Sequence, residues 1–164
     1  MVEIIQEPHK TLRDKAEIVT NFGSPELFKL LDDMKVALDS QDDGVALAAP
    51  QINISKRIFI VSPKAYHEDS EKMFVFINPE IVKKSNDKKA MDEGCLSVRH
   101  MYGRTKRATR TTVSAYDEKG NKFTMEGRGL LSQIFQHEID HLDGILFIDH
   151  ATDLEELHRN NENE

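Results

Sequence analysis

Two histidines four positions apart, in the run Gln136-His137-Glu138-Ile139-Asp140-His141, constrain this chain more than any other feature. On a helix, His137 and His141 lie one turn apart on one face, so both imidazoles can reach a single ion, with Glu138 held just beside it. Leu130 and Ile134 precede them on the same stripe, at i and i+4 ahead of i+7 and i+11. The stripe starts apolar and is expected to point inward. Burying two imidazoles beside a carboxylate leaves polar groups short of partners unless something such as a metal accepts their lone pairs.

Three protein ligands and an open position for water are the arrangement of a catalytic zinc-type site. In the elongated pattern H-E-x-x-H-x-x-G-x-x-H, Gly144 is in place, but Phe147 stands where the last histidine is required. His150 comes too late, beyond an apolar run, Ile145 to Ile148, that reads as a strand. A glutamate from a second downstream helix has no room, because the remaining residues are few and polar. Cys95, in Glu93-Gly94-Cys95-Leu96-Ser97, is the only cysteine, so it has no intramolecular disulfide partner. Metal ligation is one use for such a thiolate, and a small buried hydrophobe is the other reading.

The blocks Gly44-Val45-Ala46-Leu47-Ala48-Ala49-Pro50-Gln51, Glu93 to Ser97 and Gln136 to His141 resemble, in order and spacing, the three motifs of peptide deformylases. Pro8, Leu12-Arg13 and Arg128-Gly129-Leu130-Leu131 are also similar to that family, so the resemblance covers residues 4–150. It implies a metal-dependent hydrolase that removes the N-formyl group from the formyl-methionine of newly synthesised polypeptides and releases formate. It further implies that Cys95, His137 and His141 hold one divalent ion, Fe2+ in the cell with Zn2+ or Ni2+ as substitutes. Glu138 would take a proton from water, while the Gln51 side-chain amide and the Leu96 backbone N–H stabilise the oxyanion. Gly44, Val45, Ala46, Leu130 and Ile134 are expected to line the substrate cleft. Glu93 is expected to orient the cysteine loop through an ion pair with Arg107. Gln136 and Asp140 flank the ligands and are expected to support them, for example by accepting a ligand histidine's free N–H, with a solvent-facing Asp140 as the other reading. Two positions depart from the family: Ala46 replaces a usual glycine, and Arg99, followed by His100, replaces a frequent proline.

The net charge of -7 argues against a nucleic-acid binder. With no run of about eighteen apolar residues and no charged-then-apolar start, neither a membrane span nor a secretory signal is expected. A bacterial cytoplasmic protein acting on N-formyl-methionyl nascent chains is the expectation, without membrane or specific DNA binding. The basic run Arg99 to Arg110 reads as a solvated face, with transient ribosome contact as the other reading. A zinc peptidase or amidase with a larger acyl substrate, and a silent metal-binding protein, are the competing classes. Glu138 speaks against the second, since no ligand role requires it.

The expected fold class is α+β: small antiparallel sheets packed around a central C-terminal helix carrying the metal motif, with one N-terminal helix. A single catalytic domain is expected over residues 1–150, followed by a polar, flexible tail over 151–164. Ser24-Pro25-Glu26 reads as a helix start, with Leu27, Leu30, Leu31, Met34 and Leu38 as its inward stripe and an end near Ser40. The first motif is expected to be an extended loop. Arg57 to Ser62 and Met73 to Asn78 read as strands joined by a polar loop, Pro63 to Lys72, with Pro79 interrupting the second run. Ala108 to Tyr116 and Lys122 to Glu126 read as a hairpin turning at Asp117-Glu118-Lys119-Gly120. The metal helix is expected to reach Leu142 and stop at Gly144.

Overall fold

The computed structural model describes residues 2–66 and 72–157. Helix α1 spans Pro25–Asp39. Its Ser24 cap accepts a hydrogen bond from the Leu27 N–H at 3.2 Å, and Pro25 occupies the first turn, where no N–H is needed. The strands are β1 (Ala46–Ala48), β2 (Ile58–Val61), β3 (Phe74–Lys84), β4 (Lys88–Cys95), β5 (Val98–Ala108), β6 (Arg110–Tyr116), β7 (Lys122–Arg128) and β8 (Thr152–Glu156), with helix α2 (Leu130–Leu142) between β7 and β8. One antiparallel sheet has the order β1-β2-β3-β6-β7, and a second has the order β4-β5-β8.

All four residues of β2 are buried because the larger sheet is covered on both faces. Ile58 and Ile60 meet Leu27, Leu31, Met34 and Leu38 of α1. Phe59 and Val61 point the other way, toward Ile134, Phe135, Ile139 and Leu142 of α2. Each such side chain contributes roughly 1.5–3 kcal/mol by leaving water. The α+β class and the central position of the metal helix are as expected. The Asp117 hairpin also forms, with the Asp117 carboxylate accepting from the N–H groups of Lys119 and Asn121 at 2.9 Å each.

Several local expectations are corrected. Pro79 does not interrupt β3: it sits at a register shift between Ile77 and Glu80, where a missing N–H costs the ladder nothing. Asn78 bends the chain there with φ 50°, and its side chain exchanges two hydrogen bonds of 2.9 Å with the Val19 backbone. The first motif is a short edge strand, β1, followed by a 3-10 turn over Ala49–Ile52. Ile145 to Ile148 is no strand; Phe147–Asp149 makes a 3-10 turn capped by Asp149, which accepts from the Leu146 N–H at 3.0 Å. The run from Ala108 is broken at Thr109, where the chain leaves β5 for β6 and changes sheet.

The basic run lies in β5 apart from Arg110, which opens β6, and the alternation of β5 divides it. Arg104 and Lys106 are exposed, as a solvated face requires, whereas Thr105 and Arg107 point inward and are buried. Thr152–Glu156, expected to belong to a flexible tail, pairs with β5 as β8, its side chains all exposed. Polar strands of this kind carry no apolar alternation to announce them. Of the expected polar loop, Pro63–Ala65 forms a 3-10 turn, while residues 67–71, like 158–164 of the tail, lie outside the described residues.

Candidate metal centre

Helix α2 is held at both ends. Along its first turns, Ser132 Oγ donates to the Ala108 carbonyl at 2.7 Å. Gln136 donates to the same carbonyl and accepts from the Ala108 N–H, both at 3.0 Å. At the other end, the Leu142 carbonyl accepts from the Ala16 N–H and from Arg57 Nη1, both at 2.9 Å. That guanidinium also complements the negative end of the helix dipole. Gly144, with φ 75°, ends the helix where a Cβ would run into the Arg13 carbonyl. The histidine face is thereby fixed against the turn between β4 and β5.

In that turn Cys95 pairs with Val98, while Gly94 pairs with Tyr102, so residues 99–101 bulge outward and His100 adopts φ 68°. Cys95 Sγ lies 3.3 Å from His141 Nε2, and one donor atom from each of Cys95, His137 and His141 falls within 4.8 Å of the others. A tetrahedral ion with metal–sulfur and metal–nitrogen bonds of about 2.3 and 2.0–2.1 Å needs donor separations of about 3.3–3.6 Å; the Cys95–His141 pair meets this, and the His137 donor lies near enough to join the same ion. The chemistry of the set, one thiolate and two imidazoles, also suits a divalent metal.

His137 presents its Nδ1 to Glu93 Oε2 at 2.9 Å, which leaves Nε2 for an ion. Glu93 is itself clamped. Arg107 donates from Nε to Oε1 at 3.0 Å and from Nη2 to Oε2 at 2.6 Å, and the two side chains are only 5% and 3% exposed. Thr105 Oγ1 and Gln133 Nε2 add bonds of 3.0 and 3.2 Å to Oε1. The expected Glu93–Arg107 pair is therefore present, but it serves the histidine as well as the cysteine strand. Gln136 and Asp140 do not accept a ligand histidine's N–H. Gln136 is taken by Ala108, and Asp140 bonds Arg107 Nη1 at 2.8 Å, because both project away from the ligand face.

Burial opposes ionisation of Glu93, but the hydrogen bonds from His137 and Arg107 outweigh it and hold the carboxyl well below its usual range. Burial likewise disfavours a charged His137, yet its hydrogen bonds to Cys95 and Glu93 raise its pKa well above the usual 6.5. Burial pushes His141 far below that value. Glu138 is pushed up to about 7 by burial, with His137 opposing the shift. Among the described residues, Glu138 Oε2 and His141 Nδ1 are buried side-chain atoms without a hydrogen-bond partner. A buried carboxylate oxygen left without a partner beside three metal donors is the kind of group that marks a functional site.

A cleft of about 530 Å³ opens over the centre. Gly44, Val45 and Ala46 line it from the first motif, Leu130 and Ile134 from α2, and Cys95 and Leu96 from the turn. Gln51, His137, Glu138 and Glu93 also reach its wall, whereas His141 and Arg107 do not line it. Leu130 departs from the inward stripe: it is 47% exposed at the mouth, while Ile134 is 5% exposed. Gln51 is buried; its Oε1 accepts from the Ala48 N–H at 2.9 Å, and its Nε2 donates to Ser97 Oγ at 3.1 Å and lies 3.7 Å from Cys95 Sγ. Arg99, at the rim, donates to Gln41 Oε1.

A family model described as polypeptide deformylase matches residues 1–157. The chain belongs to that family. A peptide deformylase of Symbiobacterium thermophilum is 43% identical over 164 residues, covering 100% of this chain and 73% of its own length. One from Heliobacterium modesticaldum is 46% identical over 147 residues, 90% of this chain and 91% of its own. Among solved structures, a peptide deformylase from Legionella pneumophila superposes with TM-score 0.84 at 39% identity, covering 92% of this chain and 86% of that one. A Met-Ala-Ser-bound class I type b peptide deformylase from Acinetobacter baumannii gives TM-score 0.83 at 32% identity, with 91% and 97% covered. The enzyme is a metal-dependent deformylase that removes the N-formyl group from nascent polypeptides. No helix among the described residues is long and apolar enough to cross a membrane.

The sequence did not single out Thr105, Gln133 or Gln6, all of which hold parts of the site. Gln133 stands one helical turn before His137, a spacing that could have marked it. Thr105 and Gln6 reach the site only through tertiary contacts and leave no local signal.

Proposed function

We propose that Cys95, His137 and His141 bind one divalent ion, ferrous in the cell and replaceable by zinc or nickel, and that Glu138 is the general base of deformylation. The observation that carries this is the buried, unpartnered Glu138 Oε2 beside the three donors. Held by these three residues, such an ion would lower the pKa of a bound water and polarise the formyl oxygen. Glu138 Oε1 stands 3.9 Å from His137 Nε2, beside the three donors but outside their set. Its elevated pKa, about 7, suits a group that takes a proton from water and returns it to the leaving amine. The oxyanion that develops on the formyl oxygen is received by Gln51 Nε2 and the Leu96 N–H, where loss of one donor typically costs about 3 kcal/mol.

Val45, Leu130 and Ile134 supply apolar walls for the methionine side chain. The edge strand β1, beginning at Ala46 just after Gly44 and Val45, offers backbone groups to an extended peptide. The Ala46 methyl narrows that approach. Residues 1–150 make up the single catalytic domain in this reading, and β8 packs onto it as the last strand of the second sheet. The bacterial cytoplasm, with transient ribosome contact through the exposed Arg104 and Lys106, is the setting that supplies formylated nascent chains.

Anaerobic formate release from a formyl-Met tripeptide tests the assignment, with Fe2+-loaded protein, an acetyl-Met analogue and Glu138→Ala alongside. Formate from the formyl peptide alone, reduced about 100-fold or more in Glu138→Ala with its metal retained, is expected. Comparable turnover of the acetyl peptide, or an active Glu138→Ala, would refute it.

A further inference from the structure

We propose that Gln6 is a positioning residue for the oxyanion site, holding the Leu96 peptide in place through both ends of its side-chain amide. The N-terminal segment runs between the first motif and the cysteine turn and ties them together. The Ile5 N–H donates to the Gln51 carbonyl and the Glu7 N–H to the Ser97 carbonyl, each at 2.8 Å. Between them, Gln6 Nε2 donates to the Leu96 carbonyl at 2.7 Å, while Gln6 Oε1 accepts from the Arg99 N–H at 3.3 Å. A weaker 3.5 Å contact joins Nε2 to the Ile4 carbonyl.

The two partners of the amide fix its orientation, since only nitrogen can donate to a carbonyl and only oxygen can accept from an N–H. The amide therefore bridges the turn from Leu96 to Arg99, the one stretch of β4–β5 pairing where the register slips and the ladder gives no support. Ser97 is held on both sides, by Glu7 through its carbonyl and by Gln51 through its hydroxyl. Among the described residues, Gln6 is the hydrogen-bond partner on the Leu96 carbonyl that sets the plane of the peptide following it. That plane limits the backbone angles of Leu96 and hence the direction of its own N–H.

The inference rests on the reading of the Leu96 N–H and Gln51 as oxyanion donors. A donor misdirected by a fraction of an ångström loses part of the roughly 100-fold that complete removal costs. Gln6→Met keeps the side-chain length and removes both bonds. Gln6→Glu keeps the acceptor but sets a carboxylate oxygen against the Leu96 carbonyl.

The experiment measures kcat and KM for formyl-Met-Ala-Ser, metal content, and the affinity of the deformylated product Met-Ala-Ser, for Ni2+-loaded parent, Gln6→Met, Gln6→Glu and Gln51→Met. For both Gln6 variants a fall in kcat of about tenfold is expected. KM, metal content and product affinity should stay within about twofold of the parent. A kcat within twofold of the parent overturns the inference, as does a fall matched by loss of metal or product affinity, which would mark Gln6 as structural only. If Gln51→Met keeps its full kcat, the donor reading itself fails.

Discussion

Replacing Arg107 by methionine separates the charge that this residue supplies from the space it fills. The parent places a fully buried guanidinium on a fully buried carboxylate, at 2.6 and 3.0 Å, with a third bond to the half-buried Asp140. Removing one partner of such a pair strands the other, which costs about 3–5 kcal/mol. Asp140, 27% exposed, can rehydrate and adds little. Against a total stability of roughly 5–15 kcal/mol the loss is large. At about 2–4 °C per kcal/mol, the melting temperature should fall by roughly 6–20 °C. Freed from its clamp, Glu93 also orients His137 less well, so metal affinity should drop about 10–100-fold. Thermal and urea unfolding of Arg107→Met, with and without metal, measures both effects. The double variant Glu93→Gln, Arg107→Met removes the stranded charge and should regain at least about 1 kcal/mol of the loss. A single variant within about 1 kcal/mol of the parent, or a double variant no better than the single, would refute the argument. In the parent the folded pKa of Glu93 lies below its ordinary 4.5. Its stabilising contribution is therefore complete above that pH and is lost as pH falls below it.

The raised pKa of His137 means that the metal-free ring holds a proton near neutrality, which an incoming ion must displace. Metal affinity should weaken by at least about tenfold per pH unit below that pKa, and calorimetry in two buffers of different ionisation enthalpy should show at least about one proton released; buffer-independent heats would contradict this. Gly144→Ala places a Cβ against the Arg13 carbonyl at a positive φ, so a loss of more than about 1 kcal/mol is expected in urea unfolding. Arg57→Met removes the side-chain cap from the Leu142 carbonyl and should lower stability by about 1–2 kcal/mol, with kcat unchanged in the metal-loaded enzyme, since Ala16 still bonds that carbonyl.

Both helices were legible because their signals are local. Ser24-Pro25 and the leucine stripe define α1, and the i, i+4 histidines define the face of α2. The polar strands β4, β5 and β8 were not, since Lys88 to Glu93 and Thr152 to Glu156 show none of the apolar alternation that marks a half-buried strand. Pro79 misled for the opposite reason: its local meaning is strand-breaking, and only the bulge beside Asn78 makes it harmless. Leu130 belongs to the right stripe but lies at the helix's first turn, beyond the reach of the sheet, so spacing could not tell a core position from a cleft mouth.

The ligand types were determined by the sequence alone. Two imidazoles one turn apart need nothing beyond helical geometry to share an ion, and a single cysteine leaves little choice of thiolate. What fixes those ligands was decided by the tertiary structure. Glu93 reaches His137 from β4, Arg107 and Thr105 reach Glu93 from the inward side of β5, and Gln6 reaches Leu96 from the far end of the chain. Each of these contacts depends on strand register or segment docking, in which a shift of one residue would turn the side chain to the opposite face, and no local pattern encodes that choice.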